Sequence, residues 1–193
     1  MIKKLASAAF AVFLFSNWAL AQQGPRTIFV VRHAEKATTA PDSPLNAAGE
    51  KRADCLAKTL KDAGIKQIYV TDAKRTQQTA APLAKILKVT PTILKGNDMS
   101  GLVRNLFYGA SGNALVVGHS DTLPVIVARV QGGTVPAVNE NEYDRLIVVT
   151  MIDNNGTPAS TLHYCELGPS APTPADKDKK TVTPAKPAAG KKK

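Results

Sequence analysis

Cysteine is scarce in this sequence, with two residues, Cys55 and Cys165, in a chain of 193. Two cysteines are too few for a small disulfide-stapled fold or for a zinc site built from thiolates. Aromatic residues make up only 5% of the chain, so a surface that stacks nucleic-acid bases is not expected. No second long apolar run follows the first 21 residues, and we expect no transmembrane segment there.

Most of the charge excess lies at the two ends of the chain. The formal net charge is +10, but residues 22–168 carry 16 basic and 13 acidic side chains, a net of only +3. A domain with so small a net charge is not a strongly basic nucleic-acid-binding module, and we expect no specific nucleic-acid partner. Its 147 residues are enough to bury one hydrophobic core without disulfides.

Residues 1–21 have the three parts of a secretory signal peptide. Lys3 and Lys4 precede an apolar run, and Ala19-Leu20-Ala21 provides small residues at a cleavage site. A membrane anchor is the alternative, but the apolar run is shorter than the roughly 20 residues that span a bilayer. We therefore expect a bacterial protein that is exported to the periplasm or secreted.

Residues 169–193 are rich in proline, alanine and lysine, with seven lysines and two aspartates. Such a composition buries too little apolar surface to offset the entropy of ordering, which predicts a disordered, solvated tail. The alternative is a weak electrostatic contact between this tail and an anionic surface.

Hydrophobic periodicity predicts alternating strands and helices between the two ends. The predicted strands cover 27–32, 67–71, 90–94, 114–117, 146–152 and 160–165, and the predicted helices cover 46–63, 75–87, 99–107 and 123–130. The last two strands form a hairpin around an Asp-Asn-Asn-Gly turn at 153–156. The order predicts an α/β fold, a three-layer α/β/α sandwich with a mostly parallel central sheet.

Two histidines and two arginines follow the predicted strands. Arg32 and His33 end the first strand, Arg75 lies just after the second, and His119 follows the fourth. In a parallel sheet the carboxyl ends of the strands meet at one edge, where ligands bind. Arginine forks match phosphate oxygens, and an imidazole nitrogen can attack phosphorus. No carboxylate cluster in these segments indicates a metal site.

Three segments in this order resemble the histidine phosphatase superfamily, which includes the phosphoglycerate mutases. They are Arg-His-Ala-Glu at 32–35, Arg-Thr-Gln-Gln-Thr-Ala at 75–80 and Gly-His-Ser-Asp-Thr at 118–122. The resemblance implies a phosphoglycerate mutase-like fold and hydrolysis of small phosphomonoesters without a metal or cofactor. It also implies that His33 becomes phosphorylated, while Arg32, Arg75 and His119 bind the phosphate.

The general acid is the least defined residue. Asp98, in the loop after the third strand, and Asp121, two residues after His119, are equal candidates, although either could simply cap a helix. Glu35 ranks third as the acid and is also a candidate at the phosphate pocket. The sequence departs from the family pattern at Ala34, where glycine is common, and at Asp121, where small relatives often carry asparagine.

Two other functions remain open. Ser120, with Asp144 or Asp153 and with His163, has the chain order of an α/β-hydrolase triad, but this leaves the arginines without a role. The second alternative is a phosphate-binding protein that does not catalyse a reaction.

The cysteine pair and the assembly are also open at this stage. Cys55 and Cys165 could pair in an oxidising compartment, but we expect two separate thiols because nothing in the sequence brings them together. The sequence does not determine the oligomeric state or the substrate.

Overall fold

The computed structural model describes residues 24–96 and 98–165. The predicted signal peptide at 1–21 and the predicted tail at 169–193 lie outside the described residues. Within the described ranges, no helix combines the length and the apolar character needed to cross a bilayer.

Seven strands and four helices make up the described fold, in nearly the predicted order. The strands are β1 (Arg26–Arg32), β2 (Ile65–Thr71), β3 (Thr92–Leu94), β4 (Asn113–Gly118), β5 (Arg145–Ile152), β6 (Asn155–Gly156) and β7 (Ser160–His163). The helices are α1 (Ala47–Leu60), α2 (Lys74–Leu87), α3 (Met99–Tyr108) and α4 (Thr122–Arg129).

The strands form one mixed sheet. Its order is β3-β2-β4-β1-β5-β6, and β7 pairs with β5 beside β6. The first four strands in this order are parallel to one another, whereas β5 runs antiparallel to β1 and to its own partners β6 and β7. The predicted α/β fold with a mostly parallel central sheet is confirmed. The carboxyl ends of β1, β2 and β4 therefore lie side by side at one edge.

Helices cover both faces of the sheet because the central strands are apolar on both sides. Ile28 and Val30 of β1 pack in one cluster with residues of α3 and α4. Val31 of the same strand packs in a second cluster with residues of α1 and α2. Leu115 and Val116 of β4 divide between the two clusters in the same way. These two apolar layers make the three-layer sandwich.

The turn of the C-terminal hairpin has fewer residues than predicted. The turn consists of Asp153 and Asn154, which have φ angles of 48° and 62°, as a two-residue hairpin turn requires. Asn155 and Gly156 already pair with β5 as β6, so they belong to the strand and not to the turn. The composition of the segment predicted a turn but could not place its first and last residues.

The prediction of two separate thiols was wrong. Cys55 on α1 and Cys165, just after β7, form a disulfide with a Cα–Cα distance of 6.1 Å. Their separation of 110 positions in the chain gave no indication that the two residues are close in the fold. The bond ties α1 to the end of the described chain.

Candidate active site

The four basic residues singled out in the sequence meet at the carboxyl edge of the sheet. Arg32 is the last residue of β1 and His33 follows it, Arg75 lies in the first turn of α2, and His119 follows β4. The ring centroids of His33 and His119 lie 5.4 Å apart, with their planes inclined at 63°. The backbone NH of His33 donates to the carbonyl of Gly118 at 2.9 Å, which continues the β1–β4 pairing into the site.

His33 is buried, with 4% of its surface exposed, and is held in one tautomer. Its Nδ1 lies 2.8 Å from the carbonyl oxygen of Ala34. A carbonyl oxygen only accepts hydrogen bonds, so Nδ1 carries the proton and Nε2 keeps a lone pair. Burial lowers the pKa of His33 to about 3, and the charges of Arg32 and Arg75 act in the same direction. The ring is therefore neutral near pH 7, with Nε2 in the form that can attack phosphorus.

Hydrogen bonds hold both ring nitrogens of His119. Nη2 of Arg75 lies 3.4 Å from Nδ1, and Oγ1 of Thr71 lies 3.1 Å from Nε2. Because the guanidinium can only donate, Nδ1 accepts and Nε2 donates its proton to Thr71. Burial lowers the pKa of His119, and the Arg75 charge adds to this effect. The imidazole is thus neutral in the free protein.

Arg75 is fixed by a loop that runs between β1 and α1. Its Nη1 donates to the carbonyl of Pro41 at 2.6 Å, while its Nη2 contacts His119. The backbone NH of Lys74 donates to Asp42 Oδ1 at 2.9 Å, so the same loop also binds the first turn of α2. A guanidinium has five N–H donors, and those that remain on Nη1 and Nη2 can bind an anion beside His119.

Arg32 is buried and bound to the loop that precedes β5. Its Nη1 donates to the carbonyls of Asn139, Glu140 and Glu142 at 2.9, 2.7 and 3.2 Å. Its guanidinium carbon lies 4.2 Å from the centroid of the Tyr143 ring, a cation–π geometry. Nη2 lies 3.6 Å from the exposed carboxylate of Glu140. This arginine therefore organises a loop as well as carrying charge beside His33.

The two leading candidates for the general acid differ in the hydrogen bonds of their side chains. Asp98 is the N-cap of α3, and its Oδ1 accepts from the backbone NH of Gly101 at 2.8 Å. Asp121 occupies the N-cap position of α4, but its side chain makes no capping hydrogen bond. The hydroxyl of Thr122, the first residue of α4, accepts from the backbone NH of His119 at 2.8 Å. Asp121 keeps its carboxylate available near His119, whose pKa it acts to raise.

Glu35, the remaining candidate at the phosphate pocket, pairs with Arg52 of α1. Nε of Arg52 lies 2.9 Å from both carboxylate oxygens of Glu35, and Nη2 lies 2.7 Å from Oε1. Both side chains are buried. Burying a carboxylate is costly unless a cation pairs with it, and Arg52 provides that cation for Glu35.

Sequence reasoning missed several polar residues at this edge. Thr71 ends β2, and its hydroxyl links His119 to the hydroxyl of Thr76 at 2.9 Å. A cavity of about 350 Å³ is lined by Arg75, His119 and Thr71, together with Asp42 and Asp72. The position of Asp72 directly after a central strand was the available signal, because ligand-binding residues concentrate there.

The alternative serine hydrolase triad is not assembled. His163 Nδ1 lies 3.1 Å from Asp144 Oδ2, on the far side of β5. Ser120 follows β4, and β1 and β5 lie between β4 and β7 in the sheet. Three strand spacings amount to about 14 Å, well beyond the distance at which a histidine can accept a serine proton.

One group of the described residues has ligand atoms close enough to hold a metal ion. It consists of Glu142, Asp144 and His163, whose ligand atoms lie within 4.8 Å of one another. Arg145 already pairs with Glu142, and His163 pairs with Asp144. This group contains none of the residues that surround His33.

Comparison with known proteins matches residues 28–96 to the family model of the histidine phosphatase superfamily, branch 1. The match includes Arg32, His33 and Arg75. Over these residues the chain is similar to the histidine phosphatase superfamily. A curated relative, named "Probable phosphoglycerate mutase GpmB" from Yersinia enterocolitica, is 41% identical over 64 residues. That match spans 30% of this chain and 30% of the relative.

Two solved structures share the fold. The protein histidine phosphatase SixA, solved with tungstate, aligns with a TM-score of 0.60 at 22% identity, covering 74% of this chain and 99% of SixA. Phosphoglycerate mutase from Bacillus anthracis aligns with a TM-score of 0.55 at 15% identity, covering 72% of this chain and 93% of the mutase. At these identities the likeness establishes the phosphoglycerate mutase-like fold alone.

Proposed function

We propose that this protein is a metal-independent phosphatase that hydrolyses small phosphomonoesters through a phosphohistidine on His33. The similarity of residues 28–96 to the histidine phosphatase superfamily supports an enzyme of the phosphatase and mutase type. The observation that carries the finer proposal is the tautomer of His33. Its Nδ1 is tied to Ala34, which leaves the Nε2 lone pair for phosphorus, and the positive charges of Arg32 and Arg75 act on the ring.

The first step transfers the phosphoryl group to the protein. Nε2 of His33 attacks phosphorus in line, and the bond from phosphorus to the leaving oxygen breaks with its electron pair going to that oxygen. Charge on the three non-bridging oxygens is stabilised by Arg32, Arg75 and His119. His119, neutral with its proton on Nε2, donates that proton's hydrogen bond to a phosphoryl oxygen in the bound state.

Asp121 is the better candidate for the proton donor. Its protonated carboxyl gives a proton to the leaving oxygen, and the resulting carboxylate takes one from the water that cleaves the phosphorus–nitrogen bond. The products are an alcohol, inorganic phosphate and regenerated His33. Asp98 is less suited to this role, because its carboxylate oxygen is engaged in capping α3.

The test is a panel of phosphomonoesters assayed with and without EDTA, with His33→Ala as the blank. We expect turnover that survives chelation and is inhibited by vanadate, which mimics five-coordinate phosphorus. Loss of activity in EDTA with recovery on adding zinc or magnesium would contradict the metal-independent mechanism. Tight phosphate binding without turnover of any ester would instead support the non-catalytic phosphate-binding alternative.

We also propose that the protein works outside the cytoplasm. The disulfide between Cys55 and Cys165 supports this, because such bonds persist in oxidising compartments and are rare in the cytosol. The signal-like composition of residues 1–21 points the same way. Fractionation of cells that express the full chain tests this location, with recovery in the periplasm or medium as the expected result.

The lysine-rich segment at 169–193 is proposed to contact anionic surfaces weakly. Seven lysines against two aspartates support this contact. Sedimentation of the protein with anionic vesicles should fall when the segment is deleted, and the difference should vanish at high salt.

A further inference from the structure

Asp72 is the carboxylate without a paired cation in the cavity that contains Arg75 and His119. The cavity of about 350 Å³ has two carboxylates in its wall, Asp42 and Asp72. Asp42 is neutralised by Lys74, whose Nζ lies 3.1 Å from Oδ2. Among the described residues, Asp72 forms no ion pair, and its one side-chain hydrogen bond is from the backbone NH of Gly96 to Oδ1 at 3.2 Å.

When substrate is bound, no positive charge in the cavity wall remains to offset the Asp72 carboxylate. A phosphate dianion carries about two negative charges, which Arg32 and Arg75 match. Lys74 matches Asp42, so nothing in the cavity wall matches Asp72. The Asp72 charge acts on the pocket itself, since it opposes the effect of burial on the His119 pKa.

An unmatched carboxylate beside a bound phosphate discriminates among leaving groups. It attracts an ammonium or other cationic nitrogen on the leaving group, and it repels a second carboxylate or phosphate. Asp72 is exposed, so solvent screens this effect to a modest size.

We propose that Asp72 is a specificity-determining residue, which makes small phosphomonoesters with a cationic nitrogen near the phosphate the preferred substrate class. This inference rests on the proposed phosphatase function. It excludes, as preferred substrates, phosphomonoesters whose leaving group carries a carboxylate or a second phosphate. Asp72 acts by charge on the leaving group and takes no part in proton transfer.

The experiment uses three phosphomonoesters of nearly equal size that differ in terminal charge. They are O-phosphoethanolamine, 2-hydroxyethyl phosphate and phosphoglycolate, with an ammonium, a hydroxyl and a carboxylate respectively. We expect kcat/KM to decrease in that order. Asp72→Asn should lower the ammonium-to-carboxylate ratio by about three- to tenfold and leave the hydroxyl compound nearly unchanged, as expected for one screened charge.

Asp62→Asn is the matched control. It removes the same charge in the turn between α1 and β2, at the opposite edge of the sheet from His119, and its partner there is the neighbouring Lys61. The ratio should stay at the wild-type value in this variant. An equal loss on all three esters in Asp72→Asn would overturn the inference, because it would indicate a catalytic or structural role for Asp72.

Binding separates this inference from the proposed function. His33→Asn protein lacks the nucleophile, so calorimetry with the same three compounds measures affinity without turnover. We expect the ammonium compound to bind more tightly than the carboxylate compound. The difference should disappear in the double variant with His33→Asn and Asp72→Asn. This result supports charge selection by Asp72 even if the wild-type protein hydrolyses none of the three compounds. Equal affinities would overturn it even if the protein is an active phosphatase.

Discussion

The Nδ1 atom of His33 lies 2.8 Å from the carbonyl oxygen of Ala34, the next residue in the chain. This contact fixes the imidazole as the tautomer with a free Nε2 lone pair. Ala34 and His33 are both buried, and the backbone NH of Ala34 donates to Thr79 Oγ1 at 2.9 Å, so the carbonyl has little freedom to turn away. The nucleophile is therefore oriented before substrate arrives.

The lowered pKa of His33 predicts how stability changes with pH. Its pKa is about 3 when folded and near 6.5 when unfolded, so the unfolded chain binds more protons between these values. The free energy of unfolding should therefore fall as pH decreases from about 6.5 toward 3, by up to about 1.4 kcal/mol per pH unit from this group. Urea unfolding at several pH values measures the slope, and His33→Asn should reduce it. Equal slopes in both proteins would show that His33 titrates normally.

Replacing each candidate carboxylate by an amide tests which aspartate is the general acid. Asp121→Asn should lower kcat on alkyl phosphates by about 10²- to 10⁴-fold, and by much less on p-nitrophenyl phosphate, whose leaving group needs no proton. Asp98→Asn is the control, because asparagine caps a helix about as well as aspartate and should preserve α3. A large loss in Asp98→Asn with little change in Asp121→Asn would reverse the assignment.

The disulfide should contribute to stability but not to chemistry. Cys55→Ser with Cys165→Ser removes a cross-link across 110 residues, and the free energy of unfolding should fall by about 2–4 kcal/mol. Chemical denaturation of the oxidised wild type, the reduced wild type and the double variant gives the comparison. The kcat of the folded double variant should match the wild type. Identical denaturation midpoints for all three samples would mean that the bond adds nothing.

The fold was predictable because its central strands and helices carry clear hydrophobic periods. The placement of His33 and His119 at one edge followed from strand order alone, since both come directly after central strands. The Glu35–Arg52 pair and the Cys55–Cys165 bond could not be predicted in this way. Each joins residues through the packing of a helix against a neighbouring segment, which no local pattern records.

The role of Arg32 was predictable only in part. Its position after Val31 at the end of a buried strand indicated a ligand-binding residue, but its contacts with the carbonyls of the loop at 139–142 were not visible in the sequence. That loop has no periodic pattern, and the arginine reaches it across more than 100 positions in the chain. Long-range side-chain to backbone contacts of this kind need the assembled fold.

The most direct test of the account is to trap the phosphoenzyme. The wild-type protein is mixed with a labelled phosphomonoester, quenched, digested and mapped by mass spectrometry. We expect an acid-labile, base-stable phosphate on His33. We expect His33→Ala to lose both this adduct and turnover. His119→Ala should still trap some label, while its turnover should slow by the factor that corresponds to losing about 2–4 kcal/mol of transition-state stabilisation. Phosphate found on His119, with His33→Ala still hydrolysing substrate, would contradict the account.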